Sequence, residues 1–162
     1  MDLLPKIPTS AKQKYMPLAS LGAGADGFVI LAAPKTAPAT LSNVVALKLY
    51  CHEGSSSVPR EILEKLTAMK AHYKDQHPIA AVRDYTPALN WIAMEHVPGR
   101  SVKELMGLNY KENGMPPCIV FYVFEKMVQA QEHLKAHGLC HADLSEGGNT
   151  MLSAKEGEAW PT

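Results

Sequence analysis

The stretch CHADLSEGGNTML, Cys140 to Leu152, sets His141, Asp143 and Asn149 in one short polar segment. Asp143 could accept the proton of an attacking hydroxyl, and Asn149 could hold a metal ion through its side-chain oxygen. His141 would be structural. Taken alone, the segment reads more simply as a polar turn, where Asp, Ser, Gly and Asn are all favoured. Gly22, Gly24 and Gly27 form a GxGxxG. Backbone without Cβ atoms lets N–H groups approach an anion, although a glycine-rich hairpin turn explains the pattern as well. Lys48 stands inside an apolar run, where an ammonium must snorkel, pair or serve a ligand. An edge-strand lysine that discourages aggregation is the other reading. Glu61 could partner Lys48, with Glu64 as the alternative, because sequence does not set helix register to one residue. Glu61 could equally make a surface pair with Lys65. His133 and His137 lie four apart, but no Glu between them completes an HExxH, so they read as solvent-facing or capping residues.

These residues need elements to hold them. LGAGADGFVILA is apolar on both sides of its glycines, which predicts two strands joined by a tight turn between Leu18 and Ala33. Between the two, a glycine-rich turn has no helix N-terminus to receive a pyrophosphate, so a phosphate-covering hairpin fits better than a dinucleotide fingerprint. The alternation in NVVALKLY predicts a strand from Asn43 to Tyr50, with Val45, Leu47 and Leu49 on one face and Ala46, Lys48 and Tyr50 on the other. After Pro59, the residues Ile62, Leu63, Leu66, Met69 and Tyr73 recur at helical spacing. Strands are expected near Ile79 to Asp84 and Leu89 to Glu95, followed by a VPGR turn. Ser101 and Glu104 have capping-box spacing for a short helix. A longer helix is expected from about Pro117 to His137, with Val120, Phe124, Met127, Gln131 and Leu134 in period and Gly138 placed to stop it. Five strands and one helix before any other helix predict an α+β fold.

The bulk numbers are consistent with one ordinary domain. The chain has 162 residues, 46% of them hydrophobic and 20% charged, which argues against wholesale disorder. A net charge of +0 removes any global electrostatic case for nucleic acid or an anionic membrane, so phosphate binding would have to be local. Cys51, Cys118 and Cys140 are scattered without a CxxC, as expected of a reducing compartment. The N-terminus has no long apolar core of a signal peptide, and Cys118 to Phe124 is too short to span a bilayer. An intracellular, cytoplasmic location is the expectation.

In chain order, LGAGADGFV, VVALK, REI, HP, IAMEHVPGRSVKEL and HGLCHADLSEGGNTML resemble successive segments of the protein-kinase-like fold family, from Leu18 to Leu152. The resemblance implies a lead-in over 1–17, a five-stranded antiparallel sheet with one helix over 18–97, and the first part of a helical lobe over 98–162. It implies transfer of the ATP γ-phosphate to a hydroxyl acceptor, either a protein Ser/Thr or a small molecule, with ATP and Mg bound. Gly22, Gly24 and Gly27 would cover the ATP phosphates. Val29 would pack on adenine, Ala46 would line its pocket, and Met94 would be the gatekeeper. Glu95 and Val97 would offer hinge backbone groups to the adenine edge. Lys48 would contact the α- and β-phosphates, and Glu61 would hold Lys48 in place; such an ion pair mainly orients the lysine. Asp143 resembles the catalytic base and Asn149 a metal ligand.

The sequence departs from the family pattern in four places. Ala142 stands where many members carry arginine, and Ser145 where protein-serine/threonine kinases carry lysine. Asn149 follows Asp143 by six residues, one more than the family spacing, and Gly147 with Gly148 could absorb the extra residue as a bulge. The Asp-Phe-Gly segment expected after Leu152 does not occur before Thr162. From this we expect a truncated lobe with apolar helix surface around Phe121, Val123 and Val128 uncovered, or covered by a partner chain. We also expect a poor catalyst, since losing one electrostatic group commonly costs about 10²–10³ in rate. The alternative function is an inactive, pseudokinase-like nucleotide-binding or interaction module. A third reading, an unrelated α+β binding domain, requires the motif order to be accidental.

Overall fold

The structure, a computed structural model, describes residues 6–24, 27–40, 42–50, 58–72, 78–88, 90–112, 114–141, 144 and 149–153. Its elements are α1 (Thr9–Lys14), β1 (Tyr15–Gly24), β2 (Gly27–Pro34), β3 (Val45–Tyr50), α2 (Arg60–His72), β4 (Val82–Tyr85), β5 (Trp91–Glu95), β6 (Arg100–Ser101), α3 (Val102–Asn109), α4 (Pro117–Ala136) and β7 (Met151–Leu152). The described residues up to His96, apart from 78–79, form one compact unit. Those from Val97 onward, with 78–79, form another. No helix among the described residues is long and apolar enough to cross a membrane.

The first unit is a five-stranded sheet in the order β1-β2-β3-β5-β4, with every neighbouring pair antiparallel. The α+β expectation and the five-stranded antiparallel sheet are therefore met. The period-two pattern of β3 explains the central position of that strand. Val45, Leu47 and Leu49 go to one face, where they join Ile30, Ala32, Trp91 and Ala93 in the larger core cluster. Tyr50 goes to the other face and packs with Ile92, Val82 and Leu63. A central strand apolar on both sides needs a cover on each face.

Two helices contribute to those covers. α2 begins after Pro59, whose carbonyl accepts the N–H groups of Ile62 (3.0 Å) and Leu63 (3.3 Å), and its Leu63 and Leu66 lie on the Tyr50 side. The second cover was not foreseen. Within the lead-in expected over 1–17, Ile7, Ala11 and Tyr15 pack into the larger cluster. Ala11 is fully buried, its small side chain letting α1 approach closely. The Trp91 indole N–H donates to Ser10 Oγ at 2.9 Å, and the Tyr15 ring stands edge-on to Trp91 at 5.8 Å. Such an aromatic pair contributes about 0.5–1.5 kcal/mol beyond area burial. Lys14 reaches Asp84 at 2.7 Å, a half-exposed pair that adds little. Two prolines near the N-terminus masked this element in the sequence, because α1 is only six residues long and gets its order from Trp91.

The second unit is built around α4. Its buried residues are Ile119, Val123 and Leu134, and Ile119 and Val123 pack with Val102 and Leu152. This corrects the first half of the expected stripe, where Val120 and Phe124 are exposed and Val123 is covered, while Met127 and Leu134 lie on the covered side as expected. Over these first turns the expected and observed residues are one position apart, and the pairing of β6 with β7 goes with the observed set by bringing Leu152 to Ile119 and Val123. Ser101 caps α3 as expected. Its Oγ accepts the Glu104 N–H at 3.2 Å, and Glu104 Oε2 accepts the Ser101 N–H at 2.9 Å.

Candidate functional site

The register of the sheet brings most of the expected nucleotide residues together. Val29 is the cross-strand partner of Gly22 on one side and of Lys48 on the other, and Lys48 in turn faces Ile92. In the next row, Ala46 pairs with Leu31 and with Met94. Cross-strand partners share a face, and residues two apart on a strand share it too. Val29, Ala46, Lys48 and Met94 thus lie on one face of the sheet, each partly buried. An apolar platform with one ammonium beside it suits a flat heteroaromatic ring carrying an anionic tail.

The glycines at the edge of this platform differ. Gly27 has φ +150°, and a Cβ there would stand 1.9 Å from the Leu49 carbonyl oxygen. Close approach of β3 alone requires glycine at that position. Among the described residues nothing lies within 4 Å of a Cβ built on Gly22 or Gly24, which sit exposed on β1. Packing among the described residues does not require those two to be glycine.

Lys48 Nζ lies 5.2 Å from the centroid of the Tyr50 ring. The expected Lys48–Glu61 pair is not made. Among the described residues the one salt bridge joins Lys14 to Asp84, and both Glu61 and the alternative Glu64 are exposed. The reason is register. α2 turns Leu63 and Leu66 toward the sheet, which leaves the glutamates on the outward side of its first turns. Glu95 already spends its N–H on the Ala81 carbonyl at 2.8 Å, and its carboxylate accepts the Ala81 N–H at 3.3 Å. Its carbonyl is then the Glu95 backbone group to consider for an adenine edge. Val97 is partly buried and belongs to the second unit.

In the second unit, Asp143 lies outside the described residues, as do Ala142, Ser145, Gly147 and Gly148. The segments on either side are well anchored. Before Asp143, the Gln131 side-chain amide on α4 bonds both backbone groups of His141: Nε2–H donates to the carbonyl at 3.1 Å, and the His141 N–H donates to Oε1 at 3.4 Å. After Asn149, the Thr150 carbonyl accepts the Val102 N–H at 2.9 Å, and Met151 and Leu152 pair with Ser101 and Arg100. Gly99, at φ +135°, makes room for this pairing, since a Cβ there would come within 2.0 Å of the Leu152 carbonyl oxygen. Asn149 itself is exposed. Sequence reading placed Gln131 in an apolar stripe and missed its bond to His141. A polar residue within such a stripe, ten positions before a candidate loop, was the available signal.

For metal, no group of three or more His, Cys, Asp or Glu among the described residues could hold an ion. Asn149 could supply one oxygen, which does not make a protein-built Mg site. His137 serves the helix instead: its Nδ1–H donates to the His133 carbonyl at 2.9 Å, in keeping with the capping role.

No family model matches the chain, and no curated protein sequence matches it. Solved structures do. A doubly substituted form of the PknI kinase domain of Mycobacterium tuberculosis is similar to this chain at TM-score 0.71 and 24% identity, covering 96% of this chain and 59% of that one. A singly substituted form of the same domain gives TM-score 0.68 and 24% identity, over 94% and 59%. Another structure of the domain gives 0.68 and 24%, over 88% and 55%. The fold is protein-kinase-like. The chain spans between 55% and 59% of the length of these kinase domains. On this kinase-like fold the sheet row of Gly22, Val29 and Lys48 and the anchored ends of the 142–148 segment occupy separate units, and each is ordered by contacts within its own unit.

Proposed function

We propose that the chain binds ATP on the face of its sheet and is a kinase-like phosphotransferase acting on a hydroxyl acceptor. The observation that carries the reading is the row Gly22–Val29–Lys48 beside Ala46–Met94. Val29, Ala46 and Met94 offer an apolar bed for adenine, and the Glu95 carbonyl with Val97 would meet its polar edge. Lys48 supplies the charge for the α- and β-phosphates, and the backbone at Gly22 and Gly24 is open to them. Asp143 would take the acceptor's proton, and Asn149 would contribute an oxygen to phosphate-bound Mg, which neutralises phosphate charge when present. Catalysis of this type is mainly positioning and charge stabilisation.

The missing Lys48–Glu61 contact favours a second reading, a nucleotide-binding module without transfer activity. Two measurements separate the readings. ATP near 100 times its Kd adds about 2.7 kcal/mol, roughly 5–10 °C in Tm for a chain of this size. That shift is expected for the wild type and is expected to shrink for Lys48→Ala; equal shifts would remove the phosphate site. Phosphoryl transfer by the wild type that stops in Asp143→Asn, with ATP binding retained, identifies an enzyme. Binding without transfer in the wild type identifies the module.

A further inference from the structure

Lys48 makes one contact that the family resemblance does not anticipate. Its Nζ lies over the Tyr50 ring, 5.2 Å from the centroid. Residues two apart in a strand share a face, so the two side chains are held side by side by β3 itself. The ring is anchored, since Tyr50 is buried with Leu63, Val82 and Ile92. Its backbone is anchored as well, by an N–H that donates to the Asn90 carbonyl at 3.1 Å. The cross-strand partner of Tyr50 is Gly27, which brings no side chain to compete for the ring. Glu61, the acidic candidate for orienting Lys48, is exposed.

We infer that Tyr50 is a positioning residue for Lys48: the ring face receives the ammonium and helps set where its charge is presented to the phosphates of a nucleotide. The inference rests on the nucleotide-binding reading above and names what organises that site. An aromatic face attracts a cation through its quadrupole, most strongly where water is partly excluded. Unlike a carboxylate, the ring carries no net charge. The ring contact therefore holds the ammonium without cancelling its charge. This contact is set within one strand, between residues two apart on β3.

The test uses the full chain. In wild type, the Lys48 ε-CH2 resonances, assigned by their loss in Lys48→Ala, are expected upfield of free lysine because of the ring current. Tyr50→Phe keeps the ring and should keep both this shift and the ATP affinity. Tyr50→Leu should lose the shift and weaken ATP binding by roughly 3- to 30-fold. Free-lysine positions in the wild type overturn the inference whether or not Tyr50→Leu folds. Unchanged ATP affinity in a folded Tyr50→Leu also overturns it. Rescue by Tyr50→Phe together with loss in Tyr50→Leu supports it, because a ring needed only for packing would leave the Lys48 resonances unmoved. An upfield wild-type shift without any ATP binding supports the Tyr50–Lys48 contact and overturns the nucleotide reading instead.

Discussion

Gly22, Gly24 and Gly27 share one motif, yet a Cβ would meet the Leu49 carbonyl at Gly27 and open space at the other two. Gly27→Ala forces an L side chain into a disfavoured φ against backbone, a cost of about 1–3 kcal/mol or more. Gly22→Ala and Gly24→Ala should stay within about 0.5 kcal/mol of wild type. If Gly22 and Gly24 serve the phosphates, the same two variants should lose ATP-induced stabilisation. Urea unfolding with and without ATP checks both halves. Tyr15 offers a second residue-level prediction. Burial and the neighbouring Asp84, which accepts its hydroxyl at 3.3 Å, push its pKa up to about 12. A folded pKa raised above the ordinary value of 10.0 favours folding while the phenol is neutral. That contribution is complete below pH 10 and is lost as pH rises toward 12. Stability measured by urea midpoint should fall over that window, and Tyr15→Phe should flatten the decline.

Elements differ in how much of their order is their own. α3 carries its own start signal, and Ser101→Ala should cost about 1 kcal/mol, read as a lower urea midpoint at unchanged m-value. The backbone N–H of Ser101 and then its hydroxyl hold the Glu104 carboxyl below its ordinary pKa. A depressed folded pKa gives stability that is present above the unfolded pKa and lost as pH falls through the folded one. Acid loss should therefore be shallower in Ser101→Ala than in wild type. α1 is the opposite case. Its capping position is Pro8, which makes no side-chain cap bond, and its order comes from Ala11, Ser10 and Trp91 meeting across the sheet. A short segment of this kind has no amphipathic period long enough to read.

Across the whole molecule the most visible feature is the apolar surface of α4. Phe121 is 72% and Phe124 64% exposed, and Val120, next to Phe121, and Val128, four residues after Phe124, are also exposed. Phe124, Met127, Val128 and Leu144 line a cavity of about 310 Å³. The expectation of uncovered helix surface is met at Phe121 and Val128 and fails at Val123, which Leu152 helps to bury. Replacing Phe121 and Phe124 together by Ser should leave stability within about 0.5 kcal/mol, because neither is in the core. The same change should reduce binding of a hydrophobic dye and self-association in sedimentation velocity.

Short-range stereochemistry determined what could be read from the sequence alone. Alternation located β3 and its Val45, Leu47 and Leu49 face, Ser101 with Glu104 announced α3, and the spacing of apolar residues located α4. The order of the motifs was sufficient to anticipate the kinase-like fold, because each motif is a local solution to a turn, a strand or a cap. Partners across the chain were not legible. Tertiary structure alone decided that Trp91 is covered by α1, that Glu61 faces outward while Tyr50 meets Lys48, and that Gln131 binds the His141 backbone. Each of those outcomes turns on a register, between strands or between a helix and its support, and a shift of one residue exchanges the face that meets a neighbour for the face that meets water.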